Sequence, residues 1–103
     1  MSAAMVQFIF RPNPGSNIAT VLEFAKEAAG LWRREGADVQ LWAVQVGEIG
    51  NWAFIARFES TEKLGRAIDA LNADAAFQNW RAKGLASGLF TWVRSNQGFQ
   101  VPI

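Results

Sequence analysis

Three short segments of this chain are apolar at both odd and even positions, and that doubling restricts the folds open to it. Successive side chains of a strand point to opposite faces, so a sheet with one wet face should alternate apolar and polar residues. Residues 5–11 (MVQFIFR), 39–46 (VQLWAVQV) and 52–58 (WAFIARF) do not alternate cleanly. One parity carries Val6, Phe8 and Phe10, then Trp42, Val44 and Val46, then Trp52, Phe54 and Phe58. The other still carries Met5, Ile9, Val39, Leu41, Ala43, Ala53 and Ile55. A chain of 103 residues has material for one core, so residues 1–103 are read as a single domain with no length to spare for an inserted lid. If helices cover one face of such a sheet, the second face needs cover of its own.

The intervening segments supply the helices. The first strand stops at Pro12-Asn13-Pro14-Gly15, four turn-favouring residues. Ser16 or Asn17 can cap a helix in which Ile18, Val21, Leu22, Ala25, Ala28, Ala29 and Trp32 recur at spacings of three and four, closed by Gly36. Residues 39–46 and 52–58 are separated by Gly47-Glu48-Ile49-Gly50-Asn51, which suits an antiparallel hairpin. Ser60 or Thr61 opens a second helix with Leu64, Ala67, Ile68 and Leu71 on one face. A break is expected at residues 72–74. There Asp74 caps a short extra helix over residues 75–83 that places Phe77 and Trp80 together and ends at Gly84.

Residues 89–94 (LFTWVR) read as the fourth strand, and residues 95–103 as a tail that frays or lies across a neighbour. The order βαββαβ predicts an α+β, ferredoxin-like fold: a four-stranded antiparallel sheet with both helices on one face. Two helices leave the other face bare, and a second copy of the same sheet is the economical cover. Burying about 600 Å² of apolar surface per subunit is worth on the order of 15 kcal/mol before the costs of association.

Composition narrows the chemistry. With no His and no Cys there is no imidazole base, no thiolate nucleophile, no Cys/His zinc site and no disulfide. No metal site is expected. Ten basic residues against nine acidic ones give a net charge of +1, which argues against nucleic-acid backbone or an anionic membrane as partner. No apolar run approaches the ~20 residues needed to cross a bilayer, and the N-terminal residues lack the basic region of a secretion signal, so the expected location is the cytoplasm.

The length, the element order, the doubly apolar strands and the segment Ala73-Asp74-Ala75-Ala76-Phe77-Gln78-Asn79-Trp80 resemble the dimeric α+β barrel superfamily, over about residues 5–94. That superfamily includes antibiotic-biosynthesis-type monooxygenases and stress-responsive barrel proteins. The resemblance implies a homodimer in which two sheets face one another, with ligands between sheet and helices or inside the barrel. Trp80 resembles the helical Trp of haem-degrading members. Those enzymes hold haem iron through a His near that helix end, and this chain has none, so haem degradation is excluded. Cofactor-independent members bind phenolic polyketides and let a substrate-derived carbanion react with oxygen, aided by Trp, Asn or Arg near the oxyanion. No cofactor is therefore expected. Asn51, Trp52 and Arg57 supply those residue types on one hairpin, although Asn51 beside Gly50 is equally a turn residue.

Further ligand-binding candidates come from the strands. Gln7, Arg11, Gln45 and Arg57 fall on the less aromatic face, and a buried Arg57 would need an anionic partner or ligand; a salt bridge to Glu59 or exposure at the strand end is the plainer alternative. Phe90, Trp92 and Arg94 share a parity, an aromatic platform beside a cation, or else a core Trp with a rim Arg. Trp80 is also plain packing material. Glu48, Glu59, Glu62, Asp69 and Asp74 read as solvated carboxylates at loops, caps and outer helix faces.

These readings converge on a homodimeric barrel that binds a small apolar or aromatic molecule, with cofactor-free oxygenase or related biosynthetic chemistry as its enzymatic form. The rival is a non-catalytic structural or stress-related dimer, favoured by a sheet-helix interior without a cavity. A third reading, an RNA-recognition module, rests on residues 51–57, which match the middle of that family's third-strand signature but lack its basic residue and glycine.

Overall fold

The computed structural model describes residues 3–103, with β1 (Ala4–Pro12), α1 (Ile18–Arg34), β2 (Asp38–Ala43), β3 (Trp52–Phe58), α2 (Thr61–Asn72), α3 (Ala75–Ser87) and β4 (Phe90–Phe99). Each helix begins where a side-chain oxygen takes up an otherwise unpaired amide. Asn17 accepts from the Ala19 N–H at 2.9 Å, Ser60 from Lys63 at 3.2 Å and Asp74 from Ala76 at 2.9 Å. Asp74 also pairs with Arg34, which ties the α2–α3 break to the end of α1. The four strands form one sheet in the order β2-β3-β1-β4, every neighbouring pair antiparallel, with the helices on one face.

Three boundaries differ from the sequence-based expectation. Helix α3 runs through Gly84 to Ser87 and ends at Gly88, whose φ of 67° is the left-handed conformation that glycine adopts without strain. Gly84 instead lies buried within the helix, where a Cβ would sit 3.4 Å from the ring of Phe90; the glycine serves close approach, not termination. Strand β2 stops at Ala43, and Gly47 and Gly50, both at φ 92°, turn the chain, so Gln45 and Val46 lie in a loop.

Strand β4 is the third. It continues to Phe99, so residues 95–99 of the expected tail are sheet: β1 is nine residues long and offers its whole edge, from Pro12↔Phe90 down to Ala4↔Phe99.

Pairing register also decides the faces. Val6, Phe8 and Phe10 share the helix side with Trp52, Phe54 and Phe58, as their parities suggest. On β2, however, Leu41 pairs with Phe54 and Trp42 with Ala53. Val39, Leu41 and Ala43 therefore face the helices, while Trp42 points to the open side. The core lies between sheet and helices around Val21, Leu64 and Leu71, which are almost fully buried. Trp32 links its layers, with ring centroids 5.9 Å from Phe8, 6.1 Å from Phe58 and 6.4 Å from Phe77.

Candidate functional site

Toward β4 the sheet and helices do not close on one another. Ala25 and Ala28 on α1 are small where the facing residues are rings, and the unfilled space is a cavity of about 380 Å³. Phe8, Phe10 and Phe54 form its floor, Phe24 and Trp32 one wall, and Phe77 and Trp80 the other. Phe90 and Trp92 stand edge-on, 5.4 Å apart, and each packs against Phe10 at 5.6 and 6.0 Å. Such edge-to-face contacts fix ring orientation. The indole N–H of Trp80 donates to the Phe24 carbonyl at 3.0 Å, which anchors α3 on α1 and leaves the ring face for packing. The exposed lining residues Arg81, Leu85, Trp92, Val93, Arg94 and Ser95 mark the mouth between α3 and β4. Among the described residues no carboxylate lines the cavity.

A polar cluster occupies the other side of the sheet. The loop after β2 turns back so that Glu48 bonds Arg94 at 2.8 Å. The Asn51 amide donates to Glu48 at 2.6 Å and its carbonyl accepts from Arg11 Nε at 2.8 Å. The cluster joins Arg11 of β1 and Arg94 of β4 to the loop that precedes β3, on the face that carries Ile9, whose register partners are Ala53 and Arg94. Ile9 is only 4% exposed on this face, which no helix covers among the described residues. The hydrogen bond from Arg94 is the main cause that holds the Glu48 carboxyl below its usual range; some lost hydration opposes it, and the Arg94 charge, the Asn51 amide and Arg11 reinforce it.

No family model matches the sequence, and no curated protein does. Its structure is similar to that of an uncharacterized NIPSNAP-like domain protein from Burkholderia xenovorans, with a TM-score of 0.71 at 17% identity over 98% of this chain and 85% of that one. It is also similar to a mutant of SnoaB, a cofactor-independent oxygenase from Streptomyces nogalater (TM-score 0.68, 16% identity, 99% and 94% covered). A third similar structure is a putative antibiotic biosynthesis monooxygenase from Chloroflexus aurantiacus (0.62, 14%, 98% and 95%). These likenesses show the fold: a ferredoxin-like α+β arrangement, with a four-stranded antiparallel sheet and its helices on one face.

Within this fold the residues singled out in the sequence separate. Trp80 and Trp92 both line the cavity. Arg94 does not share a face with Trp92: a register shift between Ile9 and Phe10 pairs Trp92 with Phe10 but Arg94 with Ile9, so the Arg94 head turns away to Glu48. Asn51, Trp52 and Arg57 do not form one site. Asn51 is 1% exposed with both ends of its amide bonded. Trp52 packs on Phe10 at 5.8 Å on the helix side, outside the cavity lining.

Arg57 lies on the open face between Met5 and Asp38, exposed, with no hydrogen bond or ion pair among the described residues; Glu59 pairs with Lys63 instead. Gln7 accepts from Asn96 at 3.1 Å on that face, and Gln45 is exposed in the loop.

Sequence reasoning missed Arg81, Ser95 and Glu48. Arg81 was legible at one helical turn from Phe77 and beside Trp80. Ser95 was hidden by the assignment of residues 95–103 to a tail. Nothing in the local sequence brings Glu48 to Arg94, forty-six residues away.

Proposed function

We propose that residues 1–103 act as one domain, paired as a homodimer, and that each subunit binds a small, flat, largely apolar molecule between its sheet and its helices. The observation that carries this reading is the aromatic cavity of about 380 Å³ with its mouth beside β4. It has the size, the apolar lining and the few polar groups of a small-molecule site. A non-catalytic structural dimer has no use for an interior left unfilled at Ala25 and Ala28. Pairing is supported by the open face, where Met5, Trp42, Ala53 and Ile55 have no helix over them. The RNA reading is weakened by the same faces: Trp52 and Phe54 point to the helices, whereas stacking on bases needs them exposed.

Calorimetric titration with naphthalene-sized aromatics tests the site. Ala25→Phe, which extends a ring into the cavity, should weaken binding at least about tenfold, a loss of ~1.4 kcal/mol. Unchanged affinity in that variant would refute this location. Turnover is a separate question with a separate assay. Among the described residues the lining offers no carboxylate, and the chain has no imidazole, so an oxygenase reaction here would rely on the acidity of the substrate itself. Oxygen uptake with an anthrone-like phenol, lost in Ala25→Phe, supports the oxygenase form; binding without uptake supports a carrier or sensor.

A further inference from the structure

We infer that the ligand of the cavity is an anion, an aromatic carboxylate or phenolate of one or two rings, and that Arg81 receives its charged head; this rests on the binding reading above. Six of the ten Lys and Arg residues are neutralised by an acid: Lys26, Arg34, Lys63, Arg66, Lys83 and Arg94. The four others are Arg11, Arg33, Arg57 and Arg81, and of these Arg81 alone lines the cavity. Its guanidinium lies 4.9 Å from the centre of the Phe77 ring, with one hydrogen bond, a long one of 3.3 Å to the neutral Asn72 amide. A cation held over an aromatic wall keeps most of its N–H donors free.

The rest of the lining adds no compensating charge. Among the described residues it contains no Asp or Glu, and the other cation at the rim, Arg94, is already bound to Glu48. Ser95 pairs with Phe8 in the sheet, which puts its side chain on the cavity side as a hydroxyl at the same mouth. The site therefore presents an aromatic body and, at its entrance, one net positive charge with donors available to a carboxylate. The volume of about 380 Å³ corresponds to roughly a dozen waters at ~30 Å³ each, room for a bicyclic body.

The test compares 2-naphthoate with 2-naphthamide, its neutral analogue of equal shape, by titration calorimetry on the whole chain. The carboxylate should bind about ten- to a hundredfold tighter at low salt. Arg81→Gln should abolish that preference while leaving naphthamide affinity within a factor of about three, and Arg81→Lys should retain part of it. Arg33→Gln, an unpaired cation away from the cavity, should change neither affinity. The inference is overturned if naphthamide binds as well as naphthoate, if the preference survives Arg81→Gln, or if Arg94→Gln removes it instead. Absence of binding by both probes overturns the cavity reading itself, and with it this one.

Discussion

On the helix side of the sheet Val6, Phe10, Phe54 and Phe58 are all buried beneath α1 and α2, while on the other side Trp42 is 57% exposed and Met5 and Ile55 are only half-buried. The same strands supply both faces, with similar apolar content. The difference is what lies over them. Helices cover one face with interlocking side chains; the other carries the Glu48–Asn51–Arg11–Arg94 cluster on the side of Ile9. Apolar character alone therefore does not measure how much a strand residue contributes to stability. The contribution follows from the contacts that exclude water around it.

Substitutions on the two faces should break this symmetry. Leu64→Ala, on α2 over the covered face, leaves a void at a fully buried site and should cost about 2–5 kcal/mol in urea unfolding. Ile55→Asp on the open face should act chiefly on assembly: light scattering should give twice 11.4 kDa for the parent and 11.4 kDa for the variant, with the monomer still folded at higher cost to pairing than to the core. A parent that is monomeric at micromolar concentration would remove the homodimer from the proposal.

Asn51→Ala tests the polar cluster. It strips partners from Arg11 and Glu48 at a site only 1% exposed, and should cost about 1–3 kcal/mol by thermal unfolding. Gly84→Ala should be mild and of opposite sign. It removes a helix-interior glycine, worth up to ~1 kcal/mol, against a 3.4 Å contact with a ring that can retreat into the cavity.

The smallest effect is one of pH. Glu48 titrates lower in the folded state than its usual 4.5, so the folded protein holds fewer protons. The stabilisation is complete above that value and is lost as pH falls through the folded one. Arg94→Gln removes the main cause, so the stability gap between parent and variant should be present at pH 7 and narrow below about pH 4.5; a gap independent of pH would show that Arg94 acts by packing alone.

Much of the fold was readable one residue at a time. A cap at Ser16 or Asn17, another at Ser60 or Thr61, the Asp74 cap, the break after α2, the hairpin and the element order all follow from short-range chemistry: a side-chain oxygen near a bare amide, a glycine free to turn, an apolar period of three to four. The end of α3 was not, because exposed alanines on both sides of Gly84 blur the period and a buried glycine looks like a stop until Phe90 is seen against it. Of the site, Trp80 and Trp92 were visible as aromatic material, whereas Arg81 was passed over and the bulge that leaves Arg94 at the rim, off the face of Trp92, was not legible.

The amino-acid order by itself determined which segments become strands and helices, that the sheet would be greasy on both sides, and that imidazole and thiol chemistry are closed to the protein. Only the tertiary structure decided the register of β2, the bulge that parts Trp92 from Arg94, the extension of β4 along β1, and the gap that small residues leave among large rings. The physical reason is range. Caps and periods act within a turn or two of backbone, while register, bulges and cavities are set by how side chains from distant segments fit against one another, and no local pattern encodes that fit.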